Sequence, residues 1–342
     1  MTKLRDEILQ QPKTIQACIK ENAVKSKVLA DYVNGLDINY IVTAARGTSD
    51  NACNYFKYIC ESLCSIPVTS AAPSTITIYG GAIKYKNAVV IGVSQSGKAA
   101  DALEVMNCAN LQGCMTVALT NYKDSPMARA AKMHLYLNVG EEFAIAATKT
   151  YTAQIAALAQ IAAYIARNDA VLVALQEVGS LVQKVIDNEN VIINAAKRYK
   201  DVEHCYVLGR GVNFASAQEI AIKLMETTYI KAHAFPISDF KHGPIASVDS
   251  KSHIILLCPQ DSTHNDSLQM LELLKKSGAD ITVLTDNNNV KANCVIKLPT
   301  VNEWLSPLVY VTAMQLFVNS ISEDRGIDAQ ALRGLKKVTI TK

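Results

Sequence analysis

One pattern recurs in this chain at long range and limits its folds sharply. Residues 40–49 (YIVTAARGTS) resemble 205–213 (CYVLGRGVN), and the stretch 113–140 (GCMTVALT, then HLYLNVG) resembles 278–299 (GADITVLT, then CVIKLP). Solenoid repeats run to about 50 residues, so a period this long specifies two similar domains in tandem, not a stacked array. The runs Tyr40–Thr43, Ala88–Val93, Thr116–Leu119 and His134–Leu137 are short and apolar, each followed by Gly, Ser, Thr, Asn or Asp, and they alternate with longer helical stretches. Such alternation predicts a parallel sheet, and continuous apolar strands predict helices over both faces. A helix-rich connection spans 168–200, with a break at Asn188-Glu189-Asn190. The expected boundaries are 1–187 for a first domain with its leading helix, 188–325 for a second domain, and 326–342 for a tail.

Composition agrees with two folded domains. The chain has 342 residues, with 49% hydrophobic and 19% charged, enough apolar material for a core and unlike a disordered segment. A net charge of +3 gives no electrostatic footprint for nucleic acid or an acidic membrane, so the expected partner is a small molecule. The nine cysteines are odd in number, scattered and without a C-x-x-C pair, which fits reduced thiols in the cytoplasm rather than a disulfide framework or a zinc ribbon. The N-terminus, MTKLRDEILQQPKTIQ, lacks the apolar core of an export signal. Thr150 to Ala166 is uncharged but carries Tyr151, Thr152, Gln154, Gln160 and Tyr164, and reads as a buried helix, not a membrane span.

In open parallel sheets ligands bind beyond the carboxyl ends of the strands, which directs attention to the loops there. After Val93 comes Ser94-Gln95-Ser96-Gly97-Lys98 and then a helix, combining hydroxyls, an amide, a permissive glycine and the N–H groups of a helix start. After Val42 comes Arg46-Gly47-Thr48-Ser49-Asp50, again just before a helix. Together the loops make a candidate phosphate cradle, although the same residue types also serve as plain N-caps. Neither is a Walker loop, and Gly209-x-Gly211 lacks the third glycine of a dinucleotide fingerprint, which argues against nucleoside triphosphates and NAD.

Further along, Glu219, Lys223 and Glu226 fall on one face of an otherwise apolar helix running from about Ala215 to Tyr229. They read either as a surface ion-pair row or as a carboxylate beside apolar walls, suited to taking a proton from carbon. His242 sits in Ser238-Asp239-Phe240-Lys241-His242-Gly243-Pro244, before a Gly-Pro stop, and Lys336-Lys337 lie near the C-terminus. Either of these last two also fits a purely structural or solvated role.

Taken in order, EILQQPKTI, RGTSDNA, SQSGKAADAL, EEFAIAATKTYTAQ, LGRG, EIAIKLMETTYIKAHA, DFKHGP and GLKKVT resemble the sugar isomerase (SIS) family over nearly the whole chain. The likeness is to the branch formed by the isomerase half of glucosamine-6-phosphate synthase and the SIS-type glucosamine-6-phosphate deaminases. The resemblance implies an α/β fold of two tandem SIS domains, each a parallel sheet flanked by helices in a flavodoxin-like three-layer arrangement. It also implies a homodimer with active sites near the subunit interface, and chemistry that needs neither metal nor nucleotide cofactor. By this resemblance Thr48, Ser49, Ser94, Gln95 and Ser96 match the sugar-phosphate loops, and Ile145 and Ala147 line the same pocket. Glu226 matches the base that moves a proton between C1 and C2, and Lys223 its charged neighbour. His242 matches the ring-opening histidine that reaches into the other subunit's site. Lys337 matches the tail lysine that meets the open-chain ketose.

Ala99 stands where the family usually has a hydroxyl after SQSG-x, Asp239 where it has Glu, and Ala329-Gln330-Ala331-Leu332 where it often has Asp-Gln-Pro. With Met1-Thr2 at its start and no glutaminase region before the resemblance begins, the chain is expected to run in the deaminating direction. Glucosamine 6-phosphate and water would give fructose 6-phosphate and ammonium. A deglycase of another phosphorylated amino sugar, such as a fructosamine 6-phosphate, and a non-catalytic sugar-phosphate sensor are the alternatives.

Overall fold

The apolar runs become strands of two all-parallel sheets. The structure is a computed structural model that describes residues 2–337. In chain order the strands are β1 (Tyr40–Ala44), β2 (Val68–Ser70), β3 (Ala88–Ser94), β4 (Met115–Thr120), β5 (Met133–Tyr136), β6 (His204–Gly209), β7 (Lys231–Pro236), β8 (His253–Leu257), β9 (Asp280–Thr285) and β10 (Cys294–Lys297). The helices are α1 (Lys3–Leu9), α2 (Gln11–Gly35), α3 (Thr48–Cys64), α4 (Ser74–Thr77), α5 (Ala100–Leu111), α6 (Pro126–Ala130), α7 (Lys149–Ile165), α8 (Asp169–Asp187), α9 (Glu189–Ala196), α10 (Val212–Thr228), α11 (Ile237–Phe240), α12 (His264–Lys276) and α13 (Ser306–Asp324). The chain divides into two compact units. One, the β1–β5 unit, holds residues 13–142, 149–176 and, at the tail, 336–337; the other, the β6–β10 unit, holds 2–12, 143–148 and 177–335.

The β1–β5 sheet has the order β2-β1-β3-β4-β5. Burial explains the lack of in/out alternation in β3. Val90 joins a core cluster with Ala102, Val105 and Met106 of α5, while Val89, Ile91 and Val93, on the opposite face, are equally inaccessible. In the β6–β10 unit the order is β10-β9-β8-β6-β7. Read from its other edge and renumbered from its own first strand, this is the same 2-1-3-4-5 arrangement, so the internal repeat is a repeat of topology.

The repeat extends to single torsions. Gly47 caps α3 with φ 55° and ψ −131°, and Gly211 caps α10 with φ 57° and ψ −134°. A side chain at either position would be strained, which is why the turn after the first strand of each sheet carries glycine. A 2-1-3-4-5 order reverses direction between its first and third strands, and ligands of such sheets sit in the crevice at that point. The places to look are therefore the β1/β3 junction and its counterpart at β6/β8.

The connecting stretch breaks at Asn188, between α8 and α9, as its sequence predicts. Helix α7 is buried along almost its whole length and serves as core, again as predicted. The segment Glu303–Asp324, which includes α13, also has the length and apolarity to cross a membrane, and its apolar window lies wholly inside the protein. A helix apolar all round is what burial on every side requires.

Candidate active site

The hydroxyl-bearing residues gather at the β1/β3 junction. Thr48 and Ser49 open α3, and Ser94 ends β3 with Gln95 and Ser96 directly after it. Neither Ser94 nor Ser96 is a helix cap. The N-cap of α5 is Ala99, which makes no side-chain capping bond. Ser94 Oγ instead accepts the Gly97 N–H at 3.1 Å and Ser96 Oγ the Lys98 N–H at 3.3 Å. Ser49 Oγ accepts from Gln154 Nε2 of α7 at 3.0 Å. In each bond the hydroxyl is the acceptor, so its own hydrogen can still be donated to an anion. Two helix N-termini face the same junction, and their backbone dipoles favour negative charge there.

Loop geometry at this junction is fixed from several sides. Gly97 has φ +63°, and a Cβ on it would stand 2.1 Å from Ser125 Oγ. The Gln95 carbonyl accepts from Asn121 N at 3.0 Å and the Gly97 carbonyl from Met127 N at 3.1 Å. Arg46 Nε lies 2.6 Å from Asp101 Oδ2, joining the loop after β1 to the first turn of α5.

In the β6–β10 unit, α10 carries the acidic and basic row. Lys223 Nζ is 2.7 Å from Glu226 Oε2 and 3.4 Å from Glu219 Oε1. The side chains of Glu219 and Lys223 are 0% and 4% exposed, whereas that of Glu226 is 21% exposed. This is no surface ion-pair row, and Glu226 does not stand beside apolar walls alone; it has an ammonium against it and an open side. Burial works to lower the Lys223 pKa, but the charges of Glu219 and Glu226 outweigh it and hold the ammonium above the ordinary lysine value. Lys223 is therefore a fixed cation, suited to steadying negative charge and not to shuttling protons.

Ile145 and Ala147 belong to the segment 143–148, also in the β6–β10 unit, where they are half-buried between the buried Ala144 and Ala146. His242 lies in the exposed turn after α11, its backbone N–H bonded to the Asp239 carbonyl at 3.0 Å. Lys337 belongs to the β1–β5 unit, where its Nζ is 3.1 Å from Glu142 Oε2. Glu142 is buried and also accepts from Thr150 N at 3.1 Å and Thr150 Oγ1 at 2.8 Å, at the start of α7. The rest of the tail motif, Val338 and Thr339, lies outside the described residues. Sequence reasoning passes over Glu142 because its carboxylate acts through contacts that no local pattern marks.

The β6/β8 junction keeps the turn but changes the chemistry. Arg210 Nε pairs with Asp266 Oδ2 at 3.1 Å, as Arg46 does with Asp101. Ser262 Oγ, however, donates to Glu303 Oε2 at 2.6 Å, Thr263 Oγ1 to Asp261 Oδ1 at 2.7 Å, and the Gln260 N–H to Asp286 Oδ1 at 2.7 Å. Burial, reinforced by repulsion from Glu303 and Asp286, raises the Asp261 pKa in spite of the bonds from Thr263. A phosphate placed here would meet carboxylates where the other junction offers hydroxyls.

One further grouping looks catalytic and is not. Cys258 Sγ is 3.7 Å from His264 Nδ1, and Asn287 Nδ2 is 2.9 Å from His264 Nε2. A carbonyl can only accept, so Nδ1, which lies 2.8 Å from the Pro259 oxygen, carries the proton and has no lone pair for a thiol. Burial pushes the Cys258 thiol up to about 12, which removes it as a nucleophile.

Comparison with known proteins adds the context for this geometry. A family model described as the SIS domain matches residues 37–164 and 199–321, one match on each sheet. The glutamine–fructose-6-phosphate aminotransferase (isomerizing) of Aquifex aeolicus is 31% identical over 351 residues, covering 98% of this chain and 57% of that protein. The chain thus spans little more than half the length of this relative. Among solved structures, the C-terminal domain of glucosamine-fructose-6-phosphate aminotransferase from Francisella tularensis superimposes with a TM-score of 0.87 at 25% identity, covering 96% of this chain and 97% of that one. A glucosamine-6-phosphate deaminase from Thermotoga maritima shares the fold with a TM-score of 0.79 at 17% identity, covering 99% of this chain and 100% of that one.

Proposed function

Since the chain belongs to the SIS domain family, we propose that it is a sugar-phosphate aldose–ketose isomerase acting on an amino sugar. The reaction we assign is glucosamine 6-phosphate plus water to fructose 6-phosphate plus ammonium. The observation that carries this reading is the row on α10, where a buried Lys223, kept protonated by its carboxylate neighbours, stands 2.7 Å from a carboxylate that keeps an open side.

In this reading the hydroxyls of Thr48, Ser49, Ser94 and Ser96, with Gln95 and the helix N-termini, hold the phosphate and so fix the register of the sugar. Glu226 takes the proton from C2 of the open-chain aldose and returns it to C1. The C2–N bond order rises from amine through enolamine to ketimine, while the C1 carbonyl becomes a hydroxymethyl group. Lys223 steadies the negative charge that develops on O1 as the enolamine forms. Water then adds to the ketimine carbon, and the carbon–nitrogen bond breaks to release ammonia, which takes up a proton.

His242 opens the pyranose ring by moving a proton at the ring oxygen. Its exposed turn supports delivery to the site of a second copy in a homodimer. Lys337 meets the open-chain sugar from the tail, exchanging its contact with Glu142 for one with substrate. Ile145 and Ala147 form the pocket wall.

The test is to incubate purified protein with glucosamine 6-phosphate and assay both products. Ammonium and fructose 6-phosphate appear in equal amounts on this account. Failure to release ammonium, with or without isomerisation of fructose 6-phosphate, contradicts the deaminating assignment.

A further inference from the structure

We propose that Glu7 is a positioning residue for the substrate pocket, seating the segment that carries Ile145 and Ala147. The inference rests on the reading above that these two side chains form the pocket wall. Between Glu142 and the start of α7 at Lys149 the chain makes a run of bends with no ladder of its own. Its backbone groups must therefore find partners elsewhere.

Helix α1 supplies them. The Phe143 N–H donates to Glu7 Oε1 in a short bond, and the Ala144 N–H reaches both carboxylate oxygens at 3.3 Å. Glu7 is buried, and the ring of Phe143 has Lys3 Nζ 5.3 Å above it. At the far end Gln315 Nε2 of α13 donates to the Thr148 carbonyl at 3.5 Å. Gln315 is itself held by Gln11, whose Oε1 accepts from Thr312 Oγ1 at 2.7 Å. All of these residues belong to the β6–β10 unit. The segment is thus gripped at both ends, while Ile145 and Ala147 between them keep partly exposed side chains.

The chemistry explains why a buried carboxylate stands there. Oε1 accepts from both adjacent N–H groups, and Oε2 shares that of Ala144, so both oxygens of the group face donors. Glutamine has the same shape but offers one oxygen, and its NH2 would turn hydrogens toward a backbone donor. A buried carboxyl group is tolerated in the interior where hydrogen bonds satisfy it, as these do.

The experiment compares wild type with Glu7→Gln and Glu7→Asp by steady-state kinetics and by amide hydrogen exchange. The near-isosteric glutamine guards against simple misfolding, and the aspartate is a methylene too short to reach. Both variants should raise KM for glucosamine 6-phosphate about tenfold while kcat changes less than about threefold. Exchange should quicken at Phe143 and Ala144 and stay at the wild-type rate along α10. Wild-type exchange at those two amides, or faster exchange with an unchanged KM, overturns the proposal. A wild-type protein that does not turn over the sugar phosphate would instead overturn the functional reading, and the exchange measurement would still decide whether Glu7 seats the segment.

Discussion

Arg46 Nε stands 2.6 Å from Asp101 Oδ2, clasping the loop after β1 to the helix after β3. Arg210 and Asp266 repeat the clasp at 3.1 Å in the other sheet. Each arginine directly precedes the positive-φ glycine of its turn, and each aspartate lies in the first turn of the helix across the junction. The repeat thus preserves the frame of this turn in both units, although the β1/β3 junction carries serine hydroxyls that act as acceptors and the β6/β8 junction hydroxyls bonded to carboxylates.

The Arg46 side chain is 50% exposed and screened by solvent, while Asp101 is 3% exposed and also accepts the Ala102 N–H, so a glutamine that still donates to the carboxylate should cost under about 1 kcal/mol. The value of the pair is geometric. Arg46→Gln should leave the urea midpoint almost unchanged and weaken binding of a sugar phosphate about tenfold, measured by calorimetry. Unchanged affinity would show that the clasp does not shape the loops.

Gly97 makes a sharper case. Any side chain there meets both a φ of +63° and the Ser125 hydroxyl, and backbone strain of this kind costs about 1–3 kcal/mol. Gly97→Ala is expected to abolish measurable phosphate-ester binding, with partial recovery in Gly97→Ala/Ser125→Gly, where the collision is relieved but the torsion is not. Equal loss in the double variant would mean that the collision is not what disrupts the loop.

The contrast between the junctions fixes a stoichiometry. Titration with glucosamine 6-phosphate should show one site per chain, lost in Ser96→Ala/Ser94→Ala and kept in Ser262→Ala, because Ser262 is committed to Glu303 at 2.6 Å. Two equivalent sites per chain would contradict the assignment of hydroxyls and carboxylates to separate roles.

Much of this was legible in the sequence. Continuous apolar strands such as Ala88–Ser94 announce themselves because both faces are buried, and the glycine turns mark where they end. The edge strands Val68–Ser70 and Lys231–Pro236 do not, since they are short or half exposed and lack a continuous apolar run. The two hydroxyl-rich loops could be placed because, in this topology, the loops at the crevice follow strands. The α10 row could be found by its spacing, but spacing alone gave no sign that Glu219 and Lys223 are buried. Glu7 and Gln154 were out of reach, as they act across 136 and 105 residues of chain and look locally like any polar residue of a helix.

The buried cation gives a pH signature. Because Lys223 is held above its ordinary value, its contribution is whole below the unfolded lysine pKa of about 10.4 and is lost as pH rises from there through the folded-state value. Lys223→Met leaves its buried carboxylate partner without this cation and should cost about 3–5 kcal/mol near neutrality. Urea midpoints followed from about pH 8 to about pH 11 should therefore show the gap between wild type and variant narrowing above about pH 10. A constant gap would mean that Lys223 is not held as a charged group.

The most direct test of the account is exchange at carbon. Glucosamine 6-phosphate labelled with deuterium at C2 is incubated with wild type and with Glu226→Gln, and the label is followed by NMR. Wild type should remove the label from C2 as it turns over, delivering it to C1 or losing it to solvent while it rests on Glu226, whereas the variant should bind the sugar phosphate and retain the label at C2, slowed by at least about a hundredfold as expected on loss of a general base. Loss of the label from C2 with Glu226→Gln at the wild-type rate would contradict the assignment of this carboxylate as the base.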